Sequence, residues 1–154
     1  MKGDSMNRAL RAYENATTGD VPLFLLRMFL GVLNVATGLG KGLDIPGFGE
    51  IIATYHLGLA DQLLIPIAFV IAVGELVLGG WLLAGWRLAA AARGSIALNA
   101  GYCLLLASAL WRGLALENCG CFGVFLASPL RWYSPLESLA LAGAAYLLLR
   151  LARK

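Results

Sequence analysis

Four long apolar blocks constrain the fold of this chain more than any other feature. Hydrophobic residues make up 60% of its 154 residues and charged residues only 14%, whereas a soluble domain carries about 25% charge. A helix of about 20 apolar residues crosses the ~30 Å hydrocarbon core of a bilayer. The sequence therefore predicts an all-α, integral membrane four-helix bundle, with helices at about residues 21–43, 62–86, 88–111 and 134–150.

The distribution of lysine and arginine predicts how this bundle is oriented. One side carries Lys2, Arg8, Arg11, Arg87, Arg93, Arg150, Arg153 and Lys154, and the other carries only Lys41, Arg112 and Arg131. Loops rich in Lys and Arg stay in the cytoplasm, so we expect both termini there, in the inner (cytoplasmic) membrane of a bacterium. Residues 1–20 then form a cytoplasmic tail, residues 21–150 one membrane domain, and residues 112–133 a loop on the periplasmic side.

The composition also bears on partners. The net charge is +3, and no run of basic residues with interleaved aromatics is present, so we expect no nucleic-acid partner. The first block follows a charged leader, but no small-residue cleavage site succeeds it, so we interpret it as a membrane helix rather than a cleaved signal peptide. The lipid bilayer is the predicted environment.

The stretch ENCGCFG in the predicted periplasmic loop places Cys119 and Cys121 one glycine apart. Two cysteines at this spacing form a disulfide only if the backbone bends sharply, and Gly120 permits that bend. The ring is too small to stabilise a fold by loop closure. An exposed, strained pair is suited instead to thiol–disulfide exchange, on the side of the membrane where disulfides persist.

The neighbours of this pair extend the hypothesis. Arg112 and Arg131 are expected to border it and favour a thiolate, whereas Glu117 opposes that charge or relays a proton. Two other interpretations remain: an inert pair of reduced thiols, or half of a metal site shared between chains. A complete metal site is not predicted, because the chain offers only His56 and Cys103 as further ligands and zinc sites use three or four. We interpret Cys103 as a small core residue and His56 as a loop or interface histidine.

Ionisable and amide side chains also occur inside the apolar blocks. Glu75 lies near the middle of the second block, where a charge requires a partner, and we expect Arg27 to reach it. Together with Asn34 and Asn99 these residues are predicted to form a buried polar cluster that fixes helix packing. A proton path or quinone contact is the alternative. Small residues predict close helix approaches, namely Gly38, Gly42, Gly79 and Gly80.

The run Asn118-Cys119-Gly120-Cys121-Phe122-Gly123 before a last helix resembles the MauE methylamine-utilisation membrane proteins. The first two helices resemble the wider DoxX-like group: an Arg in helix one, a Gly-x-x-Lys at its end, an aromatic loop, and a Glu followed by glycines. The matching positions here are Arg27, Gly38–Lys41, Phe48, Tyr55, Glu75, Gly79 and Gly80. The resemblance covers about residues 21–149.

This resemblance implies a four-helix inner-membrane protein that helps to mature the disulfide-rich small subunit of methylamine dehydrogenase, with a thioredoxin-like periplasmic partner. Membrane disulfide enzymes that reduce quinone have a two-residue spacer and usually a second cysteine pair, and this chain has neither. The leading hypothesis is a membrane thiol–disulfide relay. The alternatives are a non-enzymatic scaffold for a maturation complex and a DoxX-like quinone-linked subunit, so quinone is the only cofactor considered.

Overall fold

The computed structural model describes residues 21–153, and within that range every regular element is a helix. The all-α prediction is therefore confirmed. The helices are α1 (Val21–Gly42), α2 (Ile45–Thr54), α3 (Asp61–Ala84), α4 (Leu88–Trp111) and α5 (Ser134–Leu151). The predicted N-terminal tail lies outside the described residues, as does Lys154.

Three of these helices, α1, α3 and α4, are long and apolar enough to cross a membrane. Their apolar side chains largely face outward: Phe29, Phe69 and Leu104 are 56%, 56% and 72% exposed. An outward apolar surface of this kind is stable in lipid and unfavourable in water. Helix α5 is shorter, at 18 residues, and is not among those three.

Helix α2 lies in a segment for which the sequence analysis gave no helix. Asp44 caps it by accepting a hydrogen bond from the backbone N–H of Gly47 at 2.9 Å, and Pro46 stands in the first turn, where a missing N–H is harmless. Phe48 and Ile52 bury against Ala68 of α3. This packing holds α2 beside the first half of α3, where Phe48 and Ile51 also lie against Gly120 of the cysteine loop.

Small residues bring α1 and α3 into close contact, as the glycine pattern predicts. A Cβ added at Gly38 would lie 2.9 Å from the backbone of Leu76, and one at Gly79 would lie 2.7 Å from the backbone of Val35. Such glycines let helix backbones approach closely. Gly42 and Gly80 do not contribute, because a Cβ there would meet nothing closer than 3.9 Å or nothing at all within 4 Å.

Helices α4 and α5 pack on each other, and they contact α3 and α1 respectively. Leu30 of α1, Leu82 of α3, Ala91 of α4 and Leu148 of α5 form a fully buried cluster at the end nearer the termini. Around the cysteine loop a second cluster contains Tyr55, Leu106, Leu116 and Cys119. A largely apolar cavity with several polar side chains lies between these two clusters and holds the candidate site.

Candidate functional site

The loop between Trp111 and Ser134 turns back into the bundle instead of projecting from it. Cys119 is only 8% exposed, and the adjacent Gly120 is buried. The expected exposed pair is therefore wrong for Cys119, which packs among apolar side chains, while Cys121 is half-buried. The reason is the apolar character of the loop itself, since Leu116 and Leu130 cover the first cysteine.

The Asn118 side chain fixes the backbone of the cysteine turn. Its Oδ1 accepts hydrogen bonds from the N–H of Gly120 at 2.9 Å and of Ser128 at 3.4 Å, and its Nδ2 donates to the carbonyl of Gly123 at 3.1 Å. The N–H of Cys119 also donates to the Ser128 carbonyl at 2.7 Å. Asparagine favours such local turns because its short amide reaches nearby backbone groups.

Gly120 gives the turn its shape. Its φ of +73° lies in the left-handed region that glycine adopts without steric cost. The turn brings Sγ of Cys119 and Sγ of Cys121 to 2.6 Å from each other, with both cysteines unbridged. The arrangement is that of a pair which can close and open as a disulfide with little backbone movement.

The two sulfurs share a proton unequally. A hydrogen bond from the Cys121 thiol lowers the pKa of Cys119 to about 7, against the opposing effect of burial. The same hydrogen bond, with burial, raises the pKa of Cys121. In the reduced state the negative charge therefore resides on Cys119, and thiolates rather than thiols carry out disulfide exchange.

A second glycine contact seats the loop on the end of α1. Gly123 has φ +77°, and a Cβ there would overlap the carbonyl of Gly40. A Cβ at Gly40 would in turn overlap the carbonyl of Phe122. Both positions require glycine because two backbones lie in direct contact.

A buried ion pair lies directly below this contact. Lys41 is 0% exposed, and its Nζ donates to Oε1 and Oε2 of Glu75 at 2.9 and 2.7 Å. The Tyr102 hydroxyl donates to the same carboxylate. The remaining Lys41 proton goes to the carbonyl of Cys121 at 2.9 Å. All three ammonium protons are thus used, and the cysteine turn is tied to the charged centre of the bundle.

This arrangement corrects the predicted partner of Glu75. Arg27 does not reach it: the Arg27 guanidinium lies beside Gly85 and over the Phe24 ring, and its buried Nε has no partner among the described residues. Arg27 is one and a half turns into α1, whereas Gly85 follows the last turn of α3. Since α1 and α3 run antiparallel, the far end of α1, with Lys41, meets Glu75.

The predicted polar cluster is brought together only in part. Asn34 Nδ2 donates to the Leu30 carbonyl and Asn99 Nδ2 to the Ser95 carbonyl, each within its own helix and at 2.8 Å. Neither amide is hydrogen-bonded to Glu75 among the described residues. Instead Asn34, Glu75 and Asn99 face one cavity from three different helices.

Tyr55 holds the other side of the cysteine turn. Its hydroxyl donates to the carbonyl of Cys119 at 2.7 Å. Burial, together with the nearby cysteine sulfurs, raises the pKa of Tyr55, so the phenol stays protonated and remains a donor. The Arg112 guanidinium donates to the carbonyls of Tyr55 and His56. It therefore positions Tyr55 rather than contacting the cysteines.

The charges that face the cysteines differ from the predicted ones. The Lys41 ammonium lowers the pKa of Cys121, and the Glu137 carboxylate raises the pKa of both thiols. Glu117 and Arg131 are exposed, and neither side chain bonds to the pair among the described residues. His56 is exposed too, beside a separate hollow between α2 and the start of α3.

A cavity of about 410 Å³ extends from the cysteine turn into the bundle between α1, α3, α4 and α5. Cys121 and Phe122 form its outer end. Its walls combine apolar side chains with a set of polar ones, which are Asn34, Thr37, Glu75, Asn99, Tyr102, Ser134, Glu137 and Ser138. Ligand sites in proteins have this size and this mixture of surfaces. Within residues 21–153 no three His, Cys, Asp or Glu side chains converge as a metal site would require.

Sequence reasoning missed two of these residues. Tyr102 carries a signal in retrospect, because it stands three positions after Asn99 and so shares its helix face. Glu137 follows the loop within the first turn of α5, and only the tertiary structure shows that this turn borders the cysteines. The sequence predicts Lys41 as the lysine of the Gly-x-x-Lys pattern at the end of helix one and as a basic residue on the loop side. It does not predict Lys41 as the partner of Glu75.

These features define a multi-pass membrane protein in which a Cys-Gly-Cys turn rests on a buried ion pair at the mouth of a cavity. A family model described as methylamine utilisation protein MauE matches residues 19–151. The chain belongs to this family, as the resemblance in its sequence indicated. No curated protein and no solved structure matches the chain significantly.

Proposed function

We propose that this protein is a membrane thiol–disulfide relay that supports methylamine utilisation by maturing a periplasmic protein. The observation that carries the proposal is the 2.6 Å separation of the Cys119 and Cys121 sulfurs across a left-handed glycine. By the family's name, the client is a protein of the methylamine pathway, and the disulfide-rich small subunit of methylamine dehydrogenase has the appropriate chemistry.

The exchange balances without further reactants. A client dithiol, or the dithiol of a thioredoxin-like carrier, attacks the Cys119–Cys121 disulfide and forms a mixed disulfide. Its second thiol then closes the client disulfide and releases the reduced pair. Two electrons and two protons pass from the client to the pair. When the S–S bond opens, negative charge appears on sulfur. The lowered pKa of Cys119 and the Lys41 ammonium near Cys121 both favour that charge.

The orientation needed for this role follows from charge. Lys41 is neutralised by Glu75 in a buried ion pair. Of the three basic residues counted on the loop side, only Arg112 and Arg131 then contribute an uncompensated charge, which strengthens the bias toward cytoplasmic termini. We therefore propose that α5 also crosses, that the bundle has four crossings, and that residues 112–133 open to the periplasm. Phe125, Leu126 and Trp132, each more than 60% exposed, would then lie at the interface.

Mass-tag alkylation in native membranes tests the proposal, using a membrane-impermeant maleimide in a Cys103→Ser background. We expect no labelling of the pair until a mild reductant is added, and labelling afterwards from the periplasmic side, faster at the half-buried Cys121 than at the buried Cys119. The single variants Cys119→Ser and Cys121→Ser, labelled in the same way, show that the reagent reaches each thiol. A pair that labels without reductant and does not close with diamide would refute the relay, and labelling only from the cytoplasm would refute the orientation.

A further inference from the structure

We infer that the cavity beside Cys121 binds the ring of a membrane quinone, to which the reduced Cys119–Cys121 pair delivers its electrons. This inference rests on the proposed relay, because a relay that oxidises one client after another must pass each electron pair to an acceptor. It adds a binding site, a ligand class and a direction of electron flow.

The depth of the cavity selects a lipid-soluble ligand. Its lining on α1 runs from Leu30 to Thr37 and on α4 from Leu98 to Tyr102, which are the middle turns of two membrane-spanning helices. Seven residues of α1 correspond to about 10 Å of depth. A water-soluble carrier does not reach this level, whereas a quinone enters from the surrounding lipid.

The polar side chains of the cavity suit carbonyl oxygens. Asn34 Nδ2 donates one N–H to its own helix and retains a second for a ligand. Asn99 Nδ2 donates to the Ser95 carbonyl at 2.8 Å and has only a long contact of 3.5 Å to Ser95 Oγ besides, which a ligand oxygen can replace. The Ser138 hydroxyl, 8% exposed, also lines the cavity, and it has no hydrogen bond among the described residues. Three donors from α1, α4 and α5 therefore surround the space, with apolar side chains between them. Donors that line a cavity among apolar side chains suit a ligand with acceptor oxygens, and the carbonyl groups of a quinone ring provide two.

The redox step balances with this acceptor. As the S–S bond of Cys119 and Cys121 forms, the thiolate–thiol pair loses two electrons and one proton. The electrons and that proton pass to the quinone ring, which takes its second proton from water and leaves as the quinol. Cys121 lines the cavity while Cys119 faces the loop side, so the quinone meets the second sulfur. Glu137 stands at the same end of the cavity and is exposed, which gives a carboxylate route for a proton. A single cysteine pair then suffices, without a second pair in the chain.

Binding is tested first, without any redox chemistry. The probe is decylubiquinone, titrated by calorimetry into the purified Cys119→Ser/Cys121→Ser protein in detergent. We expect one site per chain, weakened at least about tenfold, or ~1.4 kcal/mol, by Ser138→Phe, which fills the cavity. Leu139→Phe, on the lipid-facing side of the same helix turn and 56% exposed, is the matched control and should bind as the parent does.

Two results would overturn the site. One is the absence of decylubiquinone binding, or equal binding in Ser138→Phe. The other is equal binding of decylbenzene, which has the chain and a ring but no carbonyls and would show that the cavity holds an acyl chain instead. Because these measurements lack both cysteines, they are independent of the alkylation test of the relay.

Electron delivery is tested next with pre-reduced, cysteine-containing protein. We expect stoichiometric loss of the ultraviolet absorbance of decylubiquinone together with closure of the disulfide, abolished by Ser138→Phe and retained in Leu139→Phe. Binding without reduction in a protein whose pair still exchanges with a soluble dithiol would overturn the hand-off while leaving the relay intact.

Discussion

Lys41 and Glu75, 34 positions apart in sequence, form a fully enclosed ion pair with Nζ 2.7 Å from Oε2, and the same ammonium group binds the carbonyl of Cys121. A charged side chain buried away from water is stable only when an opposite charge and hydrogen-bond partners surround it. The ion pair therefore links the packing of α1 on α3 to the position of the cysteine turn. It also connects the Gly-x-x-Lys segment at the end of α1 with the Cys-Gly-Cys turn that precedes α5.

Replacing Lys41 should destabilise the protein more than replacing any other basic residue in its helices. Lys41→Met leaves the Glu75 carboxylate buried and unpaired, and the expected cost is about 3–5 kcal/mol. Lys41→Met/Glu75→Gln should recover a large part of it. The measurement is the midpoint of thermal unfolding in detergent. Arg27→Met is the control, with a small effect, because Arg27 has no acidic partner among the described residues; equal losses in the two single variants would contradict the assignment of the pair.

Gly123 should tolerate no side chain, although the left-handed Gly113 has room for one. Gly123→Ala adds a Cβ that overlaps the Gly40 carbonyl, so the loop must leave the end of α1. Left-handed strain costs about 1–2 kcal/mol, and overpacking adds about 1–3 kcal/mol. Gly113→Ala is the matched control, since φ there is +70° but nothing lies within 4 Å. The expected result is loss of disulfide closure by diamide in Gly123→Ala alone, and closure in both would show that the contact is dispensable.

The alkylation rate of the reduced cysteine pair should depend on pH with an unusually low apparent pKa. With the pKa of Cys119 lowered to about 7 by the Cys121 thiol, its thiolate is present at a lower pH than in an ordinary cysteine of pKa about 8.5. Between pH 6 and 8 the iodoacetamide rate in Cys103→Ser protein should therefore rise roughly tenfold and level off, rather than rise roughly 80-fold. Cys121→Ala removes the hydrogen bond and should move the half-maximum toward 8.5. An unchanged profile in that variant would exclude Cys121 as the cause.

Cys119→Ser and Cys121→Ser should each abolish client maturation, because one sulfur cannot release a mixed disulfide. Cys103→Ser, in the middle of α4 and away from the pair, should leave maturation unchanged. The readout is the yield of correctly bridged client in the periplasm, at equal membrane levels of each variant. Full yield with either loop cysteine replaced would favour the scaffold role, in which the loop only docks a partner.

The amino-acid sequence by itself determined the membrane helices and the dithiol. Apolar runs near 20 residues leave a chain few folds other than helices, since backbone polar groups must pair within each segment in lipid. The observed α1, α3, α4 and α5 lie within two residues of the predicted ranges. Cysteines separated by one glycine also define a possible disulfide from local geometry alone.

Only the tertiary structure decided what surrounds that dithiol. Arg27 and Lys41 are equally available to Glu75 in the sequence, and the antiparallel packing of α1 on α3 selects Lys41. The apolar loop folds inward because its leucines bury more surface there, which removes Cys119 from solvent and opens Cys121 to a cavity. Tyr102 and Glu137 join the site from helices whose faces no local pattern relates to the loop. Long-range contacts such as these depend on how whole helices pack, and hydrophobic periodicity does not specify that packing.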